Sequence, residues 1–162
     1  MTSISYLRTD YPTKTVKIAI LKESRAGENR VSVTPTVVKS LIGMGLTCLV
    51  ESGAGVASHY SDSEYAELGA SIESRTDCFA QAEALVQINP PISEDIQRLK
   101  VGQLWISMVY HRSNMDVVEA INSKGASLFS LDAIPRISRA QSMDVLSSQA
   151  NLAGYRAVIE GA

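Results

Sequence analysis

The segment from Pro135 to Ile159, PRISRAQSMDVLSSQANLAGYRAVI, carries the densest group of side chains that could do chemistry. Its first half brings two arginines, a glutamine, an aspartate and serines to the predicted mouth of a helix. The free N–H groups and positive dipole end of a helix mouth suit an anionic or polar ligand. Exposed helices are usually rich in Lys and Glu, and this one is not. The segment is therefore predicted to form part of a binding site.

Other groups of residues give weaker signals. Gly53-Ala54-Gly55 follows a predicted strand but lacks the third glycine of a dinucleotide loop, so we interpret it as a tight turn. His59 and His111 have no Cys or carboxylate at ligand spacing, and no metal site is predicted. The chain has the residue types of a Ser-His-Asp catalytic triad, but no G-x-S-x-G motif supports this interpretation. Tyr110-His111-Arg112 could be the polar edge of a site or an exposed loop, and both interpretations stay open.

The composition is that of one ordinary globular domain. The chain has 162 residues, of which 45% are hydrophobic and 20% charged. The net charge of −2 gives no reason to expect nucleic acid as a partner. No apolar run approaches the roughly 20 residues of a membrane span, and the N-terminus has no hydrophobic signal. Cys48 and Cys78 are expected to be small core residues in a reducing compartment. These features predict a cytoplasmic protein.

Strands alternate with helices along the chain. The predicted strands cover residues 16–21, 46–51, 71–72, 84–88, 103–109 and 126–130. Three helix starts are marked by Thr34-Pro35, by the capping box Ser61-x-x-Glu64 and by Ser113-x-x-Asp116. Shorter helices are predicted near 77–81 and 93–99. This alternation, with nearly continuous apolar strands, predicts an α/β fold, Rossmann-like or flavodoxin-like, with a mostly parallel sheet and helices on both faces.

The predicted domain boundaries separate a flexible tail at 1–14, an α/β domain at 15–141 and a long helix at 142–162. One stripe of this helix is apolar: Met143, Leu146, Ala150, Ala153 and Ala157. The neighbouring stripe is polar: Asp144, Ser147, Ser148, Asn151 and Tyr155. The helix could lie on its own sheet, lead to a second domain, or form a dimer contact. Its small residues would allow close approach by another backbone.

Three segments carry a family resemblance: KIAILKESRAGENRVSVTP, VESGAG and PRISRAQSMDVLSSQANLAGYRAVIEGA. With them the chain resembles the N-terminal domain of the alpha subunit of proton-translocating NAD(P) transhydrogenase and, more distantly, alanine dehydrogenase. The first two segments are common to both, and the third is specific to the transhydrogenase side. The resemblance implies NAD as cofactor and hydride transfer between NAD(H) and NADP(H), coupled to proton translocation through a membrane domain. Such transfer requires alignment of two nicotinamide rings rather than a protein nucleophile.

The resemblance also implies which residues contact the cofactor. Arg136, Gln141 and Asp144 match the family's residues at the nicotinamide end, which we take as the catalytic positions. The remaining matched cofactor contacts are Ile137, Ser138, Arg139 and Ser147. An arginine can pair with the pyrophosphate or a ribose hydroxyl, a glutamine can hold the carboxamide, and an aspartate can orient the arginine or a ribose. For Arg139, a salt bridge to the next domain is the alternative interpretation.

Two departures from the family pattern narrow these expectations. Alanine dehydrogenases place a lysine and a histidine where this chain has Asn89 and Tyr110, which disfavours that activity even though Arg30 matches their substrate-carboxylate arginine. Family members continue into a second domain with the G-x-G-x-x-G fingerprint, which is absent here. Only half of a NAD site is therefore expected, and the chain alone is expected to be inactive. It would be a fragment, a split subunit, or a truncated gene product serving as a non-catalytic binding or dimerisation module.

The implied partners are a NAD-binding Rossmann domain, a membrane beta subunit and a NADP-binding domain. An uncovered sheet or final helix also predicts a homodimer, in which the helix from Ser142 onward packs against a second copy. The expected location is the cytoplasm, including its inner-membrane surface if partner subunits hold the chain there.

Overall fold

A six-stranded sheet forms the centre of the computed structural model, which describes residues 15–161. Its strands are β1 (Lys17–Ile20), β2 (Thr47–Glu51), β3 (Ser71–Glu73), β4 (Ala84–Val86), β5 (Leu104–Ser107) and β6 (Ser127–Ser130). They lie in the order β3-β2-β1-β4-β5-β6, and each neighbouring pair is parallel. The predicted parallel α/β sheet is confirmed. The tail predicted at 1–14 lies outside the described residues.

Helices connect the strands and follow the last one. They are α1 (Pro35–Gly43), α2 (Asp62–Glu67), α3 (Arg75–Gln81), α4 (Ser93–Arg98), α5 (Met115–Ser123) and α6 (Val145–Gly161). Short 3-10 turns cover Val56–Ser58, Leu131–Ala133 and Ser138–Met143. None of the helices within residues 15–161 combines the length and apolar character needed to cross a membrane.

Two hydrophobic cores lie on opposite faces of the sheet because successive strand side chains point to opposite sides. Ala19 and Leu21 belong to the core that α3, α4 and α5 cover, where Phe79 and Trp105 stack with ring centroids 6.2 Å apart. Ile20 belongs to the other core, which α1 and α2 cover. Helices α1 and α2 do not reach the β6 edge of the sheet, where Phe129 remains 49% exposed.

The helix starts differ in how they are capped. Ser61 and Glu64 form the predicted capping box, in which the Glu64 N–H donates to Ser61 Oγ over 3.3 Å. Thr34 precedes Pro35 as expected but makes no side-chain cap bond. The predicted cap at Ser113 is wrong, because α5 begins after Asn114. The Ser113 N–H instead closes a turn onto the Tyr110 carbonyl at 2.8 Å, which keeps Ser113 outside the helix.

The final helix starts three residues later than predicted. The 3-10 turn Ser138–Met143 occupies the predicted first residues, and α6 follows Asp144. Only Val145 and Leu146 of α6 are half-buried, whereas every described side chain from Ser147 onward is exposed. The interpretation in which this helix lies on its own sheet is therefore wrong, since its small apolar residues have no partner within the described part of the chain.

Candidate functional site

Six of the seven predicted cofactor contacts line one hollow of about 290 Å³ in front of α6: Arg136, Ile137, Ser138, Gln141, Asp144 and Ser147. The 3-10 turn and the first turn of α6 bring them together. Arg139 does not join them. It lines a larger apolar hollow of about 550 Å³ against β6 and the segment that follows it. The turn thus presents alternate side chains to two different surfaces.

Asp144 in this hollow serves as the cap of α6. Its Oδ1 accepts the Ser147 N–H at 3.0 Å and its Oδ2 accepts the Ser147 hydroxyl at 2.5 Å. These bonds lower the pKa of Asp144, and the nearby positive charge of Arg136 adds to the shift. Asp144 is therefore a carboxylate at neutral pH, fixed in place by the helix that it caps.

Arg136, Ser138 and Gln141 keep their hydrogen-bonding capacity. All three are exposed at the hollow, and within residues 15–161 their side chains make no hydrogen bond or salt bridge. A guanidinium, a hydroxyl and an amide together offer several donors and two kinds of acceptor. This set could hold a ligand that carries both anionic and amide groups.

A second polar cluster, which the sequence did not bring together, lies at the carboxyl ends of β1 and β4. Arg30 forms a bidentate pair with Glu28, with Nε–Oε1 and Nη2–Oε2 distances of 2.8 and 2.7 Å. The Arg30 guanidinium lowers the pKa of Glu28 to about 2. Asn89 donates to Glu28 at 3.1 Å and to Glu23 at 2.9 Å. Proximity of the two strand ends in the parallel sheet, rather than sequence spacing, creates this cluster.

Arg30 borders another hollow of about 390 Å³ between the sheet and α6. Its further lining includes Tyr60, Met108, Val145 and Gln149. The first two turns of α6 and its cap therefore contribute to two hollows, through Val145 and Gln149 on one and through Asp144 and Ser147 on the other. A change in the direction of these turns would reshape both.

Tyr110-His111-Arg112 rims a further hollow opposite Asp132. The Asp132 carboxylate accepts the Val109 and Tyr110 N–H groups at 2.8 and 3.0 Å and lies 3.9 Å from His111 Nδ1. Burial acts to raise the pKa of Asp132, but bonds from Ser130 and the two amides outweigh it and lower the pKa. Tyr110 has a left-handed φ of 52°. Across the described range, no group of three or more His, Cys, Asp and Glu residues could hold a metal.

The Gly53–Gly55 segment is the tight turn that was predicted. The Gly53 N–H donates to the Asp62 carboxylate at 2.8 Å, so this amide is already used within the protein. Gly55 packs so closely that an added Cβ would lie 2.8 Å from a ring carbon of Tyr65.

Comparisons with known proteins show which family the chain belongs to. The family model described as "Alanine dehydrogenase/PNT, N-terminal domain" matches residues 19–153. An NAD(P) transhydrogenase alpha-subunit chain of Rhodospirillum rubrum is 42% identical over 153 residues, which cover 91% of this chain and 40% of that protein. Alanine dehydrogenase 1 of Staphylococcus aureus is 28% identical, with 90% of this chain and 38% of that protein covered.

A solved structure gives the same result for the fold. The transhydrogenase from Sinorhizobium meliloti superimposes with a TM-score of 0.85 and 38% identity over 89% of this chain and 43% of that one. The chain thus spans well under half the length of these relatives. Because the family model covers most of its residues, the chain belongs to the alanine dehydrogenase/PNT N-terminal domain family.

Proposed function

We propose that this chain is the N-terminal portion of an NAD(P) transhydrogenase alpha subunit. It supplies the nicotinamide-side loop for hydride transfer between NAD(H) and NADP(H), coupled to proton translocation. The observation that carries the proposal is the hollow in front of α6, where six residues expected to contact the cofactor converge. The 42% identity to the Rhodospirillum rubrum transhydrogenase subunit, against 28% to an alanine dehydrogenase, supports the transhydrogenase assignment.

The chemistry of the hollow suits this role. Hydride passes directly between two nicotinamide rings, so the protein must orient the rings and exclude water. Arg136 and Gln141 line the hollow, and their side-chain donors, which no described residue occupies, suit phosphate, ribose and carboxamide groups. Asp144 holds the first turn of α6 in place and adds a negative charge beside Arg136. The remainder of the NAD site would come from a second, Rossmann-type domain.

The same proposal extends to partners and location. The chain would act with a NAD-binding domain, a NADP-binding domain and a membrane beta subunit, either in the cytoplasm or at the inner surface of the membrane. It would also pair with a second copy through α6, whose exposed residues include Leu152, Tyr155, Val158 and Ile159.

Calorimetric titration with NADH tests the proposal. The chain is titrated alone and after addition of the NAD-binding second domain from the Rhodospirillum rubrum relative. We expect binding by the mixture, with about a tenfold loss of affinity in Arg136→Ala and in Gln141→Ala, the size of one charged or well-placed hydrogen bond. Arg156→Ala is the matched control and should bind as the parent does, since among the described residues Arg156 pairs only with Glu160 on α6.

The outcomes separate the candidate functions. An Arg136→Ala variant that binds NADH as tightly as the parent would show that the hollow in front of α6 does not contribute to the NADH site. Absence of NADH binding by both the chain and the mixture would favour a non-catalytic binding or dimerisation module.

A further inference from the structure

In the part of the chain that the structure describes, helix α6 is attached to the rest of the protein only at its base. Its half-buried residues are Val145 and Leu146, and the helix then projects with all described side chains exposed. Within residues 15–161, the one side-chain hydrogen bond between α6 and the sheet domain joins Arg30 Nη1 to Gln149 Oε1 at 3.2 Å. A helix held at so few points can change direction when one of them is lost.

Arg30 is itself held firmly on the side of the sheet. Its Nε and Nη2 are both occupied by the Glu28 carboxylate at 2.8 and 2.7 Å, and its backbone N–H donates to the same carboxylate at 3.1 Å. A bidentate pair fixes the plane of a guanidinium, so the direction of the remaining Nη1 is also set. That nitrogen is the one that reaches Gln149.

The anchor continues from Glu28 into the sheet. Asn89 is buried and donates its amide N–H groups to Glu28 and Glu23 at 3.1 and 2.9 Å. Glu23 in turn accepts the Ile88 N–H at 2.5 Å, directly after β4. An unbroken series of hydrogen bonds therefore runs from the segment after the carboxyl end of β4 to the second turn of α6.

We propose that Arg30 is a positioning residue, whose contact with Gln149 sets the direction in which α6 leaves the sheet. Glu28 neutralises the Arg30 charge. The Arg30 Nη1, which Glu28 does not contact, donates to α6 rather than to a ligand carboxylate. Ser147 lies on the same two turns as Gln149 and Asp144 caps them, so the contact also shapes the hollow in front of α6. This consequence for cofactor binding rests on the proposed function, whereas the contact itself does not.

Distance measurement between spin labels tests the contact directly. Labels are placed at Ala157→Cys on α6, an exposed position on the side of the helix away from Leu152 and Ile159, and at Lys39→Cys on α1. The labelled full-length chain is diluted with unlabelled protein so that distances between copies do not contribute. Cys48 and Cys78 are buried, and burial raises the pKa of both thiols, so they should stay unlabelled. The parent should give one narrow distance distribution.

Arg30→Met and Gln149→Ala should each broaden this distribution, and the double variant should broaden it no further, because both remove the same contact. Gln149 is exposed, so Gln149→Ala should leave the domain folded. This variant therefore tests the contact even if Arg30→Met unfolds the domain. Arg156→Met is the matched control. It removes an α6 arginine whose one ion pair within residues 15–161 is with Glu160, and it should leave the distribution narrow. Gln149→Glu, which converts the hydrogen bond into an ion pair, should also keep it narrow.

Titration with NADH in the presence of the second domain provides the second readout. Gln149→Ala should lose about tenfold in affinity, as expected for a lost hydrogen bond to a charged group, and Gln149→Glu should restore it. An unchanged distance distribution in both Gln149→Ala and Arg30→Met would overturn the positioning role whatever NADH does. Broadening in a chain whose parent mixture binds no NADH would retain the positioning role and overturn the proposed function.

Discussion

At position 55 a glycine is needed for packing rather than for backbone conformation. Its φ is −89°, which any residue adopts, but an added Cβ would lie 2.8 Å from a Tyr65 ring carbon and 2.9 Å from Tyr60. We expect Gly55→Ala to destabilise the protein by about 1–3 kcal/mol, the usual cost of overpacking a tight site. Urea unfolding followed by circular dichroism measures the change.

Gly43 is the matched control for this substitution. A Cβ there meets no atom of the described residues within 4 Å, and the residue ends α1, so Gly43→Ala should be neutral or stabilising by up to about 1 kcal/mol. Equal effects of the two alanine substitutions on stability would contradict the close packing of Tyr60 and Tyr65 around Gly55.

Glu28 should make stability depend on pH in the acid range. The Arg30 pair lowers the pKa of Glu28 in the folded protein from 4.5 to about 2. A lowered folded pKa means that the stabilisation is complete above about pH 4.5 and is lost as the pH falls through about 2. Glu28→Gln should therefore be less stable than the parent at pH 7, with a difference that shrinks between these two pH values.

Thermal unfolding of both proteins from pH 2 to pH 7 gives the comparison. Glu119→Gln on α5 is the control, because Glu119 is exposed and makes no ion pair within the part of the chain that the structure describes. A parent-minus-variant difference for Glu28→Gln that is constant over the whole range would contradict the assigned pair.

At the scale of elements, the Arg75 guanidinium connects three other segments of the chain. Its guanidinium contacts Glu51 at the end of β2 at 2.6 Å and Asp95 of α4 at 2.6 and 2.9 Å. It also donates to the carbonyl of Lys22 after β1 at 3.1 Å. Asp95 is only 1% exposed, so its charge depends on this partner. The first residue of α3 therefore fixes α4 and the loop after β1 against the sheet.

Replacing Arg75 with Met should cost about 3–5 kcal/mol, since it leaves a buried carboxylate without its partner. A second change, Asp95→Leu, should recover part of that loss by removing the uncompensated charge. Arg98→Met is the control, because the exposed Arg98 side chain makes a single hydrogen bond to described residues, to Thr76. This change should alter stability by no more than about 0.5 kcal/mol. Chemical denaturation gives all three values, and equal losses for Arg75→Met and Arg98→Met would contradict this role.

For the whole molecule, the exposed apolar residues of α6 predict self-association. Leu152, Tyr155 and Ile159 lie on one side of this helix at helical spacing and are more than half exposed. We expect a dimer at micromolar concentration by sedimentation equilibrium, and a monomer after Leu152→Glu. Ser40→Glu, which adds the same charge to the exposed side of α1, should leave the dimer intact. A parent mass of one chain at that concentration would contradict the prediction.

The sequence by itself determined the order and type of the elements. Buried parallel strands are apolar on both faces, so runs such as VKIAIL and QLWISMV identify β1 and β5 without tertiary information. Local hydrogen bonds likewise determine the Ser61–Glu64 capping box. The cofactor contacts before α6 came from a contiguous, family-specific segment, and they remain a proposal.

Only the tertiary structure decided what meets across the sheet. Glu28 and Asn89 are far apart in the chain, and they meet because the carboxyl ends of the parallel strands β1 and β4 share one edge of the sheet. Arg30 and Gln149 are also far apart, and they meet because the segment after β6 brings the start of α6 to that same edge. The direction of α6 could not be predicted from sequence patterns either, since its apolar stripe is equally compatible with a helix that lies on the sheet. A periodic pattern shows which side of a helix can be buried, but the surface that buries it depends on where the chain has already folded.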